Sequence, residues 1–153
     1  MVDFISSFNK GQDAAKKAEA NKDEIDSVFD NMNKQLGEAS SGALKVDIVF
    51  KSNPFMDFLS VTSKSKAGGS YWALAAVNPL AESYEPKEIA KWKADQNGYP
   101  CLVITDAEEI YCEDKSALEK ALSSLLARPE VGKVFRLVMN QKQKLEIDNE
   151  PES

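Results

Sequence analysis

Cys101 and Cys112 lie eleven positions apart in the stretch PCLVITDAEEIYC, and they are the only two cysteines of the chain. Such a pair suits three chemistries: soft-metal ligation, thiol redox work, or plain packing. A structural zinc site needs four ligands, usually Cys or His. This chain has no histidine and no CxxC spacing to complete a set, so no metal or cofactor is expected. The spacing also has a geometric reading. With a turn centred between Asp106 and Ala107, Cys101 faces Cys112, Leu102 faces Tyr111 and Val103 faces Ile110 across a hairpin. Opposed side chains then lie about 4.5–5.5 Å apart at Cβ. The expected outcome is a pair of reduced, shielded thiols at a packed hairpin base, since free cysteine is among the most often buried residue types. A redox role is the sharper alternative.

The missing histidine narrows the function classes further. It removes Ser-His-Asp triads, Cys-His pairs and a histidine general base. No enzyme is expected; a site built on Glu108, Glu109 and Glu113 is the residual catalytic reading. Net charge is −6, which argues against the basic footprint that nucleic-acid binding normally needs. The densest charge is Asp106, Glu108, Glu109, Glu113 and Asp114, with no intervening base. This cluster reads either as a solvated turn and helix start, where acids favour the helix dipole, or as a surface for a basic protein partner. It matches no EF-hand, because the central glycine and the terminal glutamate are missing. A rival reading takes Lys64, Lys66, Tyr71 and Trp72 as a single-stranded nucleic-acid site, with lysines on phosphates and aromatics under bases.

The elements that must position these residues follow from periodicity. Residues 12–37 predict a long helix with Ile25, Val28, Phe29, Met32 and Leu36 on one stripe. At 1.5 Å per residue it spans roughly 39 Å, longer than a small sheet can cover, so part of it should overhang. That stripe is the expected surface for a protein partner or a second copy. Val2, Phe4, Ile5 and Phe8 form a short helix or an extended anchor ahead of it.

ALKVDIVF alternates as a half-buried strand, FMDFLSVTSK follows as a second, and SYWALAAVN reads as a central strand covered on both faces. EPKEIAKWKADQNGYP predicts a helix, with Pro86 in its first turn, Ile89 and Trp92 inward, and Gly98 and Pro100 ending it. After the cysteine hairpin, KSALEKALSSLLA and PEVGKVFRLVMN are helices, and Asp114 is the N-cap of the first. The order α-βββ-α-ββ-α-α implies an α+β domain with a mainly antiparallel five-stranded sheet. The expected layout is a single domain over 1–153: an N-terminal helical segment 1–38, a sheet and helix core 43–140, and a frayed tail 143–153.

The longest apolar run, WALAAV, falls far short of the ~20 residues of a membrane span. No secretory signal is legible, so a reducing, cytoplasmic setting is expected. These features lead to an expected class: a non-catalytic accessory, inhibitor or immunity-type factor of bacterial or phage character. It would act by protein contact, with a protein partner or as a homodimer through the N-terminal helix, without a membrane.

Overall fold

The computed structural model describes residues 1–52 and 69–144. Among them the order is α1 (Phe4–Ser40), β1 (Lys45–Lys51), β2 (Tyr71–Val77), β3 (Lys87–Asp95), β4 (Gly98–Ile104), β5 (Glu109–Cys112), α2 (Lys115–Leu126) and α3 (Pro129–Met139). The strands form one antiparallel sheet in sequence order, β1-β2-β3-β4-β5. The α+β class therefore holds, but one of the expected elements changes.

The change is the segment expected as a helix from Pro86 to Gly98, which holds strand β3. Its true period is two: Ala90 and Trp92 turn to the core, while Lys91 and Lys93 are exposed. The turn signals serve a hairpin instead. Asn97 N–H bonds the Asp95 carboxylate at 2.9 Å, and Gly98 takes φ +91°, a left-handed conformation that favours glycine. Gly98 has a second reason to be glycine. A Cβ there would stand 2.8 Å from that of Asn21, so α1 rests directly on the hairpin turn. The strand expected at FMDFLSVTSK lies outside the described residues, as does 145–153 of the expected tail. Gln143, at the start of that tail, bridges Ala81.

Helix α1 is longer at both ends than its stripe suggested. Asp3 caps it by accepting from Ser6 N–H at 3.0 Å, which draws Phe4, Ile5 and Phe8 into the helix. At the other end Gly37 stays helical, and the chain leaves at Ser41 (φ 55°) and Gly42 (φ 85°), with Gly42 N–H closing on the Gly37 carbonyl at 2.8 Å. Helix α2 starts as expected, with the Asp114 carboxylate accepting from Ala117 N–H at 2.8 Å.

All three helices contribute to one apolar cluster with one face of the sheet. Ile25, Val28 and Phe29 of α1 join Leu118, Leu122 and Leu125 of α2 and Val131, Phe135 and Val138 of α3. The sheet supplies Val46, Leu74, Ala90, Trp92, Cys101, Val103 and Cys112. Central strand β2 is buried from Ala73 to Val77, as its unbroken apolar run implied. Phe29 meets Trp92 edge-on, with ring centroids 5.3 Å apart. One turn further along α1, Asn33 bonds both backbone groups of Val46. Its Nδ2 donates to the carbonyl at 2.9 Å, and its Oδ1 accepts from the N–H at 2.8 Å.

Two substitutions probe this seat. Phe29→Ala should cost about 3–5 kcal/mol, the range for emptying a buried aromatic site. Asn33→Ala should cost about 1–3 kcal/mol by leaving two part-buried backbone groups unpaired. Denaturant titration with unchanged m-values checks both, and a Phe29→Ala midpoint equal to wild type would contradict the contact.

Candidate functional site

The cysteine hairpin adopts the register read from its spacing: Cys101 opposite Cys112, Leu102 opposite Tyr111, Val103 opposite Ile110. Thr105 shapes the loop. Its hydroxyl accepts from Glu108 N–H at 3.1 Å, and its own N–H bonds the Glu108 carbonyl at 2.8 Å. Both thiols are fully buried and not joined to each other. Burial, followed by its neighbour Cys112, pushes the Cys101 thiol up to about 12. Burial also raises Cys112. A thiol held protonated and out of solvent is a poor nucleophile and a poor metal ligand. Among the described residues no group of three His, Cys, Asp or Glu side chains is placed to hold a metal ion.

The acidic residues stay at the surface but divide by role. Asp106 is met by Arg128 at 3.5 Å, and the same guanidinium holds Glu130 at 3.0 Å. Asp114 is used as the α2 cap. Glu108, Glu109 and Glu113 remain exposed. Glu113 and Asp114 border a shallow depression with Lys17, Asn21 and Tyr99. There the Tyr99 hydroxyl donates to Glu24 at 2.8 Å. Partial burial and then this bond hold the phenol above the usual tyrosine range.

The helix stripe is divided between core and surface. Ile25, Val28 and Phe29 are buried against the chain's own sheet, and Met32 and Leu36 pack partly buried beside them. The overhang exists, but it falls elsewhere. Phe4, Ile5 and Phe8 are 76%, 75% and 64% exposed on the N-terminal turns of α1. Among the described residues, the hydrogen bond to the sheet nearest this end of the helix is Asn21 Nδ2 donating to the Asn97 carbonyl at 3.0 Å.

Of the rival nucleic-acid residues, Lys64 and Lys66 lie outside the described residues. Tyr71 is occupied: its hydroxyl donates to Glu88 at 2.6 Å, and Lys91 stands 4.7 Å from its ring centroid. Trp72 is half exposed and lies 5.0 Å from Phe50, which is equally exposed. The row Phe50–Trp72–Trp92–Val103 crosses the sheet, open at the β1–β2 end and sealed from β3 onward. Beside it an apolar groove of about 550 Å³ runs between α1 and the sheet, lined by Ile25, Ile48, Trp72 and Trp92 with Asp26 and Asp95. Sequence reasoning missed Ile48 and Phe50 as surface residues, since strand alternation marks them as inward without telling how far the helix layer reaches.

Comparison with protein-family models, curated proteins and solved structures finds no match to this chain. No helix among the described residues is long and apolar enough to cross a membrane.

Two measurements follow from the thiols and the phenol. Cys101 and Cys112 should react with an aromatic disulfide reagent only on unfolding, and rapid native labelling would contradict their shielding. Folding also raises their proton affinity above the unfolded values of about 8.5 for Cys and 10 for Tyr. The stability they contribute is therefore complete below about pH 8 and is lost as pH rises through 9 to 12. Thermal melts across that range should show the decline, flattened in Cys101→Ala/Cys112→Ala.

Proposed function

We propose that this protein is a non-catalytic interaction factor, of the accessory, inhibitor or immunity type, working through its N-terminal helix and its acidic hairpin. The observation that carries the reading is the exposure of Phe4, Ile5 and Phe8 on a helix that continues past the sheet. Contiguous exposed apolar groups on an otherwise well-packed chain mark interaction surfaces. The stripe from Ile25 to Leu36 supports the arm by holding the rest of α1 on the sheet. Glu108, Glu109 and Glu113 complement a basic protein, such as one whose nucleic-acid site they would occupy. Deeply protonated thiols suit a reducing cytoplasm, and this setting is part of the proposal.

Affinity capture from the native host tests it, using the tagged full chain beside Glu109→Lys/Glu113→Lys. A stoichiometric basic partner, salt-sensitive and lost on charge reversal, is the expected result. Equal recovery with both baits would remove the acidic face from the reading.

The exposed Phe50–Trp72 pair favours one other reading, a single-stranded nucleic-acid module, because stacked aromatics are what such modules offer bases. Fluorescence anisotropy with labelled single-stranded DNA and RNA separates the two. No binding at physiological salt is expected. A salt-dependent affinity abolished by Trp72→Ala would select the nucleic-acid module.

A further inference from the structure

The N-terminal helix follows a heptad spacing that runs from the body into the overhang. Phe4, Phe8, Gly11, Ala15 and Ala18 continue, in alternating steps of three and four, the positions of Ile25, Phe29, Met32 and Leu36, with Lys22 at the one seam position between the two groups. A straight α-helix drifts about 20° per heptad against such a repeat. The three heptads from Phe29 back to Phe8 therefore turn the seam about 60° around the axis, away from the sheet that Phe29 contacts. The seam that covers the sheet at one end faces open solvent at the other.

The exposed end has an internal order: its large residues, Phe4 and Phe8, come first, and its small ones, Gly11 and Ala15, follow. When two such helices lie antiparallel with positions summing to 19 in register, Phe4 meets Ala15 of the other copy and Phe8 meets Gly11. Every layer then sets a large side chain against a small one, and the two-fold axis repeats each layer. Charge placement agrees. Asp3, Lys10, Asp13, Lys16 and Lys17 all fall outside the seam and its flanks, where Ile5, Ser7, Gln12 and Ala14 stand. Gly11 adds a separate observation. It lies in the helix interior, where glycine is the least favourable residue short of proline, yet a Cβ there would meet nothing within 4 Å among the described residues. The packing of the described residues does not call for a glycine there; a closely approaching aromatic ring would. Among the described residues the helix also has little to hold it before Asn21, and helical stability in proteins comes mostly from packing.

We infer that a second copy of this chain covers the N-terminal arm, through an antiparallel helix pair that seats Phe4 and Phe8 of each copy on Ala15 and Gly11 of the other. This rests on the arm being an interaction surface, and it names the occupant. With aromatic side chains of 150–250 Å² each, the pair buries on the order of 1,000 Å² in all, the low end of specific interfaces. The dimer is therefore reversible, with a dissociation constant on the order of micromolar or above.

Sedimentation equilibrium of the full chain over a wide concentration range tests the inference. Wild type should shift from monomer to dimer. Phe8→Glu should weaken the dimer at least about tenfold by placing a charge in the seam, while its melting curve keeps the wild-type transition of the body. Phe4→Ala and Ala15→Phe should each weaken association, and the double variant should restore it, since it exchanges sizes within one layer. A parallel pair behaves differently: Ala15→Phe alone would strengthen it, and that result overturns the proposal. So does a wild-type chain that stays monomeric, or one that stays monomeric while binding phosphatidylcholine–phosphatidylglycerol vesicles through Phe8. A monomeric chain whose host partner is lost on Phe8→Glu would refute the second copy and keep the arm as an interaction surface. A dimer obeying the layer rules without any host partner would establish the second copy and remove the host partner from the proposed function.

Discussion

Trp92 lies near the middle of the five-stranded sheet, with Trp72 on one side and Val103 on the other. An apolar face of this width has to be taken out of water, and each fully buried large side chain contributes roughly 1.5–3 kcal/mol. Phe29 meets the Trp92 ring at nearly a right angle, 88°. That contact sets where α1 lies, and the position of α1 determines which surfaces remain. From β3 onward the face is sealed; toward β1 and β2 it stays partly open; and the helix, longer than the sheet it covers, runs on into solvent.

Hairpin features read well from sequence because their determinants are local. The pairing of Cys101 with Cys112 needed only a turn position and the period of a strand, and the Asp114 cap needed only its place before an apolar-periodic run. The β3 segment was misread for an instructive reason. Ile89 and Trp92 fit a helical step, while Ala90, Trp92 and Ala94 fit a strand step, and alanine is too small to announce an inward face. Pro86, Gly98 and Pro100 punctuate either structure. What decides between them is non-local: Trp72 opposite Trp92 on one side and Val103 on the other.

The candidate surfaces were partly legible for the same reason. The heptad positions of α1 are visible in the sequence, but their division between core and solvent depends on where the sheet ends, which no helical pattern encodes. The acidic cluster was visible as charge, yet its roles separated only in three dimensions, with Asp106 toward Arg128 and Asp114 into a cap.

Asn33 has a consequence for how this molecule meets others. Among the described residues β1 is an outer strand of the sheet, and an outer strand offers unpaired backbone groups to any passing chain. At Val46 the carboxamide of Asn33 takes both of those groups, as a neighbouring strand would. A short side chain thus stands in for a sixth strand and blunts the rim against sheet extension at that point. Contacts between copies are steered away from strand addition, whose main-chain bonds tolerate almost any sequence, and toward surfaces where side-chain shape decides the partner.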